Sequence, residues 1–405
     1  MSRKEVEKMG YKVAVMGYGV VGSGVCEVIR TNAKSLSEKL GQDISVKYVL
    51  DIREFPESDP EHDKITADFE KILNDPEISV VAEVMGGATF AYDYTKKLLM
   101  AGKSVCTSNK ELVSKHGTEL LKIAKEKNAN YLFEASVGGG IPIIRPLYSC
   151  LAANEITKIT GILNGTTNYI LTKMFKEGMN FGDVLKEAQE KGYAEKDPTA
   201  DVDGIDACRK IAILGSLVFG KYVDASKIKT VGISGITKDD VAYAEKMNSV
   251  IKLIGQAQKL DGRVYVSVEP RLVKKGTPLS GIDGVFNGIM VNGNAIGEVV
   301  FYGPGAGKLP TASAVVADII DCLRNLDRHH EYTWSEAPKD FVCSPEENFG
   351  QYLVITSQPD EIKAKMKVVD SVTVKDGEIG LITDVIKEKV FAECTGFYKK
   401  YIKLC

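Results

Sequence analysis

The strongest pattern along the chain is an exchange of short apolar runs with longer amphipathic stretches over the first 150 residues. Tyr11–Met16 (YKVAVM) reads as a buried strand, and a helix from about Val20 to Leu40, closed by Gly41, follows a glycine-rich turn. Ile44–Leu50 (ISVKYVL) is the second strand, ended by Asp51. Ser79–Val84 (SVVAEV) is the third, Ser104–Thr107 the fourth and Asn130–Phe133 the fifth. Strands separated by helices need right-handed crossovers, so the pattern predicts an α/β, doubly wound parallel sheet.

From about Glu155 the pattern changes. Residues 155–163 (EITKITGIL) predict a strand, and a long helical region runs from about Gly165 to Phe219. Strand-like runs follow at Val264–Val268, Gly288–Val291 and Glu298–Tyr302. This describes a second, α+β domain. Thr311–Asn325 (TASAVVADIIDCLRN) is one apolar helix after a glycine-rich loop. The tail, polar at first, then carries YLVIT at Tyr352–Thr356 and a strand–helix–strand pattern. The expected division is a nucleotide-binding domain at 1–150 completed by 305–330, a catalytic and dimerisation domain at 151–304, and a small module at 331–405.

Length and composition narrow the picture. At 405 residues the chain is too long for one core. Its 44% hydrophobic and 26% charged residues are an ordinary soluble mix, and a net charge of -3 gives no reason to expect a nucleic-acid partner. No apolar stretch reaches the roughly 18 residues needed to span a bilayer, and the start lacks a signal-peptide segment. The eight cysteines include no CxxC pair, so they read as reduced thiols of a cytoplasmic protein, and no zinc site is expected.

Candidate chemistry begins at Gly17, Tyr18, Gly19, Val20, Val21 and Gly22, a GxGxxG between a strand and a helix. The first glycine makes the turn, the second admits a pyrophosphate to the backbone, and the third lets helix and strand close up. The helix N-terminus offers free amides to the phosphates. Asp51 then fits the acid that binds the adenosine ribose. It lies further along than the usual spacing of about 20 residues, and the long first helix accounts for the excess. Arg53 beside it suits a 2′-phosphate, so NAD and NADP both stay open, with a slight lean to NAD.

The second site candidate is the segment 188–210, AQEKGYAEKDPTADVDGIDACRK. Asp206 and Lys210 open a helix four residues apart and share a face, with Asp203 one turn earlier. A lysine beside carboxylates can carry a proton. On spacing alone, an ordinary surface ion pair is the simpler reading.

That segment resembles the signature of the homoserine dehydrogenase family at Ala188, Gly192-Tyr193-Ala194, Asp197-Pro198, Asp201-Val202, Gly204, Asp206 and Lys210. Val105–Lys110 (VCTSNK), Glu134–Pro142 (EASVGGGIP), Gly161–Tyr169 (GILNGTTNY) and Tyr302–Ser313 (YGPGAGKLPTAS) resemble further stretches of the family, and the likeness covers about residues 11–325. There are departures. Lys196 stands where the family usually has proline, Leu50 where many members have arginine, and the tail is short for the ACT regulatory domain that many members carry.

The resemblance implies a Rossmann-type cofactor domain and NAD(P)-dependent interconversion of L-homoserine and L-aspartate 4-semialdehyde, a step of threonine, isoleucine and methionine biosynthesis. It implies Lys210 as proton carrier, Asp206 as its orienting partner and Lys110 beside the nicotinamide ribose. Glu195 and Asp201 would bind the substrate, and Gly305 would lie at the cofactor. The turn at Glu134, Val137, Gly139 and Ile141 would bind a monovalent cation, Na+, through backbone carbonyls and one acid. The family also implies a homodimer or homotetramer, and the short tail makes threonine feedback doubtful. Two other readings stay open: another NAD(P)-dependent reductase of a small amino-acid aldehyde, and a non-catalytic NAD-binding redox sensor.

Overall fold

The apolar runs of the first 150 residues build a six-stranded parallel sheet of order β3-β2-β1-β4-β5-β6. The strands are β1 (Tyr11–Met16), β2 (Ile44–Leu50), β3 (Ile65–Thr66), β4 (Ile78–Glu83), β5 (Ser104–Thr107) and β6 (Tyr131–Leu132). The computed structural model describes residues 10–330 and 332–405. Val13–Met16 of β1 are fully buried, as a strand covered on both faces requires. The chain reverses the strand order beside β1, where doubly wound sheets bind their ligands.

This sheet belongs to a first unit made of residues up to Ala152, Ser216–Tyr222 and Pro304–Glu336. The helix Val20–Thr31 packs against the late helix Lys308–Arg324. Gly24 permits the approach, because a Cβ there would stand 2.9 Å from the Lys308 carbonyl oxygen. The single helix expected over 20–40 is two, Val20–Thr31 and Ala33–Leu40, broken at Asn32. Asn32 leaves helical geometry and its amide caps the Val28 carbonyl, a role asparagine favours over helix interiors. Trp334, the chain's one tryptophan, closes the return segment over the helix Lys110–Glu126. Its indole donates to Thr118 Oγ1 at 2.9 Å, and its ring fills the space a side chain at Gly117 would need.

The second unit comprises Ala153–Gly215, Val223–Gly303 and Ala337–Cys405. Its sheet runs β12-β11-β7-β9-β10-β18-β14-β16-β15, with β8 also against β10. The strands are β7 (Ile156–Ile162), β8 (Lys229–Thr230), β9 (Ser249–Leu260), β10 (Arg263–Lys274), β11 (Phe286–Gly293), β12 (Gly297–Pro304), β13 (Phe349–Gly350), β14 (Tyr352–Thr356), β15 (Val368–Lys375), β16 (Glu378–Thr383), β17 (Ile386–Lys387) and β18 (Lys400–Leu404). β13 and β17 form a separate short pair. β9 and β10 are a long hairpin turned by Asp261 and Gly262, both at positive φ, as a type I′ turn demands. The helical region expected over 165–219 is four helices, Gly165–Glu177, Phe181–Glu190, Thr199–Val202 and Ile205–Phe219. Left-handed Gly178 ends the first.

The tail, expected as a small module at 331–405, lies mostly in the second unit. From β14 to β18, the short β17 aside, it runs strand, helix, strand, strand, helix, strand, in the antiparallel order β18-β14-β16-β15. It has its own core around Tyr352, Ile362, Leu381 and Phe391. Yet β18 pairs in parallel with β10 at Arg271↔Lys403 and Leu272↔Leu404, so the tail extends the second unit's sheet. Pairing removes an exposed edge from each side, which is the physical reason the two sheets merge.

Candidate active site

In the first unit, Gly17, Gly19, Leu50, Asp51, Arg53, Val84, Gly86 and Phe90 line a cavity of about 400 Å³. Gly17 turns the chain at φ +95, and open space lies where a side chain at Gly19 would project. Gly22 cannot carry a side chain, because a Cβ would sit 1.8 Å from the Gly17 carbonyl oxygen. No side chain caps the helix at Gly19, so its positive end faces the turn. Val20 is exposed at the helix start. Tyr18 turns its ring onto Phe55 and its hydroxyl to Asp59 at 2.8 Å, leaving its amide toward the site.

Asp51 ties this turn together. Its Oδ2 accepts from the Tyr18 amide at 2.8 Å, and its two oxygens accept from Arg53 Nε at 2.9 Å and Nη2 at 2.8 Å. The Arg53 guanidinium holds the carboxyl far below the usual carboxylate range. Asp51 and Arg53 thus present one acid and one cation on the same wall.

The ends of β4 and β5 are fixed by buried polar groups. Glu83 accepts from the Met85 amide at 2.8 Å and from Thr107 Oγ1 at 2.6 Å, and burial pushes its carboxyl up to about 7. Asn109 caps the next helix through the Leu112 amide and donates to the Gly87 carbonyl at 2.6 Å. Lys110 is the first residue of that helix and half-buried.

Glu134 is buried and held by backbone. Its carboxylate accepts from the amides of Ile143 at 2.5 Å, Ile144 at 2.8 Å and Arg145 at 2.8 Å. Oε1 takes two of these bonds and Oε2 one, so Oε2 keeps acceptor capacity. The carbonyls of Val137 and Gly139 are taken by no backbone amide among the described residues. Gly139 lies against Gly305, whose carbonyl oxygen would stand 2.3 Å from a Cβ at 139. The Ile141 amide closes the turn onto Gly138 at 2.9 Å. Carbonyl oxygens of this kind suit a hard cation. Below the turn, Asp318 accepts from the Glu134 amide at 2.9 Å and pairs with Arg145. Burial, then the nearby Glu134 charge, pushes the Asp318 carboxyl up to about 8.

In the second unit, the end of β7 meets the start of the helix Ile205–Phe219. Lys210, 7% exposed, donates to the Leu163 carbonyl at 2.8 Å and pairs with Asp206 Oδ2 at 2.9 Å. Asn164 donates to Asp206 Oδ2 at 3.0 Å and Asp201 Oδ1 at 2.7 Å, while its own oxygen caps the helix Gly165–Glu177 at the Thr167 amide. The structure so brings Lys210, Asp206 and Asp201 together. Asp203 stands outside the Ile205–Phe219 helix, at the end of the short Thr199–Val202 helix. Glu195 lies on the exposed loop, whose backbone carbonyls at Glu195 and Lys196 accept from Gln189.

Asn164, Glu83 and Asp318 were not singled out by the sequence reading. Asn164 had a signal, since Asn-Gly-Thr-Thr before an apolar helix marks an N-cap. Asp318 had another, a charge in the apolar stripe of TASAVVADIIDCLRN.

A family profile described as "Homoserine dehydrogenase" matches residues 142–320, and one described as "Homoserine dehydrogenase, NAD binding domain" matches residues 17–134. A homoserine dehydrogenase of Bacillus subtilis is 44% identical over 317 residues, 78% of this chain and 73% of that protein. One of Lactococcus lactis is 36% identical over 91% of this chain and 87% of its own. The crystal structure of a homoserine dehydrogenase from Thiobacillus denitrificans is similar at a TM-score of 0.87, with 33% identity and 98% of both chains covered. A hyperthermophilic archaeal homoserine dehydrogenase mutant in complex with NADPH is similar at 0.65, with 30% identity over 77% of this chain and 97% of its own.

Proposed function

The chain belongs to the homoserine dehydrogenase family, and on that premise we propose how its residues serve an NAD(P)-dependent oxidoreductase that interconverts L-homoserine and L-aspartate 4-semialdehyde. The bound nicotinamide supplies or accepts the hydride. What the protein must supply is a proton carrier at the alcohol oxygen. The observation behind this reading is Lys210, a buried lysine fixed by a carbonyl and a carboxylate at a helix start.

As homoserine is oxidised, its hydroxyl proton passes to Lys210 in its neutral amine form, giving the ammonium; in reduction that ammonium returns the proton to the developing alkoxide and stabilises its charge. Asp206 orients the ammonium, and Asn164 holds Asp206 and Asp201 in place. Glu195, solvated on its loop, receives the substrate ammonium, and Asp201 completes the substrate set. Lys110 is assigned to the nicotinamide ribose and the oxyanion. Asp51 binds the adenosine ribose hydroxyls, which favours NAD; Arg53 is the group for a 2′-phosphate.

Backbone carbonyls and the acid of the turn at Glu134, Val137, Gly139 and Ile141 are assigned to Na+. Replacing sodium by choline in the assay tests it, and unchanged turnover removes the site. The edge strand β12, with Val300 exposed and exposed Tyr302 stacked on Phe286, is assigned to self-association as a homodimer or homotetramer. Light scattering showing a monomer would end that. The tail is read as a shortened ACT-like regulatory module, and the protein as a cytoplasmic enzyme of threonine, isoleucine and methionine biosynthesis. The decisive assay follows absorbance at 340 nm with homoserine and NAD or NADP in parallel. Growth with either supports the assignment, and flat traces with both sink it.

A further inference from the structure

Where β18 joins β10, the second unit buries an ionic cluster. Glu269 pairs with Arg271 at 2.9 Å and with Lys229 at 2.8 Å, and Lys229 also pairs with Glu388. Arg271 donates further to Gln256 and Ser267. Lys400 is held by Asp240 and the Gly235 carbonyl. Each of these charges has its complement.

Lys403 does not. It is 5% exposed, and among the described residues no carboxylate or carbonyl reaches its ammonium within hydrogen-bond or ion-pair distance. Instead the ammonium stands 5.0 Å from the ring centre of Tyr265 and 5.7 Å from that of Tyr352. Gly350 backs its stem so closely that a Cβ there would lie 2.7 Å from Cε. A buried ammonium without a partner is costly. Burial, then the like charge of Arg271, lowers Lys403 to about 7.

Lys403 is also among the residues lining a cavity of about 200 Å³, with Lys229, Glu269, Lys400 and Tyr401. Val231, Ile236, Pro270 and Ile402 supply apolar wall. Counting the cluster, Lys229, Arg271 and Lys403 face Glu269 and Glu388, one positive charge in excess. The volume admits only a few heavy atoms. Both oxygens of Glu269 are engaged, so the cavity offers no free carboxylate to a ligand ammonium, which disfavours a zwitterion. A single excess charge likewise disfavours a dianion.

We propose that this cavity binds a short aliphatic monocarboxylate, its carboxylate on Lys403 and its carbon chain on Val231 and Ile236. The ligand supplies the missing complement, and bound carboxylate holds Lys403 protonated. Affinity therefore falls as pH rises above 7, with Lys229, Glu269, Arg271, Tyr265, Tyr352 and Glu388 as the other ionisable groups around it. The site is independent of the catalytic assignment, and binding is read without turnover.

The test is isothermal titration of the full chain with sodium propionate, against matched sodium chloride, sodium phosphate and glycine. Saturable propionate binding is expected, at least tenfold weaker at pH 8.5 than at pH 6.5 and at least tenfold weaker in Lys403→Met at pH 6.5. Val231→Trp, which narrows the cavity and keeps Lys403, should weaken it too and decides the matter if Lys403→Met does not fold. Absent saturation, equal affinity in a folded Lys403→Met, or tighter binding of phosphate or glycine than of propionate would each overturn the proposal.

Discussion

Lys210 and Lys403 are both less than a tenth exposed, and both sit in the second unit's sheet and the helix packed on it. Their ammonium groups end in opposite company. Lys210 meets a carboxylate and a carbonyl, whereas Lys403 meets the faces of two tyrosines and an open cavity. Lys229 sharpens the contrast, because it lies in the same cluster as Lys403 and its two carboxylate partners raise its pKa strongly while that of Lys403 falls. Burial alone does not decide what a lysine does; its fixed partners do. A lysine with partners is set up to hold a proton at a defined place. One without them is set up to receive a charge from outside.

Four experiments break or sharpen that contrast. Lys210→Ala should lower homoserine turnover by about 10²- to 10⁴-fold, the range of general acid–base catalysis, while cofactor binding by fluorescence survives. A loss under tenfold would put Lys210 in the same merely structural class as the rest of its helix. Lys229→Met should destabilise the chain by about 3–5 kcal/mol in urea unfolding, because Glu269 and Glu388 are left buried without their cation. Asn164→Ala removes a helix cap, which costs about 1–2 kcal/mol, and also frees Asp201 and Asp206. Its turnover should drop more than its stability explains, and Asn164→Ser, which keeps a capping oxygen without the amide donor, should restore stability but not rate.

The smallest effect is a pH difference at Lys403. Its folded pKa of about 7 lies below that of an unfolded lysine, so the unfolded state binds more protons between those values. The destabilisation is complete below pH 7 and is relieved as pH rises toward 10. The melting temperature of the natural chain, measured against Lys403→Met, should therefore climb from pH 7 to pH 9. A flat difference would mean that Lys403 has a partner after all.

Much of the first unit was legible in the sequence because its signals are local. YKVAVM, the glycine turn and the capped helix lie within thirty residues, and each glycine has a steric reason that can be read from the motif. β9 was not legible. Its SVIKLIGQAQKL is buried almost continuously from Ser249 to Ala257, so the alternation that marks a half-buried strand is missing. The Asp261-Gly262 pair was the available clue. At the site, helical spacing gave the pairing of Asp206 with Lys210 and the family resemblance gave its role, but Asn164 reaches across 42 and 37 positions to Asp206 and Asp201, a relation that only tertiary structure supplies. Glu134 was marked by its glycine-rich setting, and nothing in that setting reveals three amides waiting for its carboxylate. Lys403 stands in a polar tail with no spacing that ties it to β10.

The return of the chain to its first unit has a consequence for biosynthesis. The helix Val20–Thr31 is completed by Lys308–Arg324, and Trp334 seals Gly117 from beyond it. During translation that covering segment emerges roughly ten seconds or more after Ala152 has left the ribosome, at the usual pace of synthesis. Until then the face around Gly24 waits bare. A nascent chain of this protein cannot finish its N-terminal half first, and has to make nearly all of itself before either half is closed.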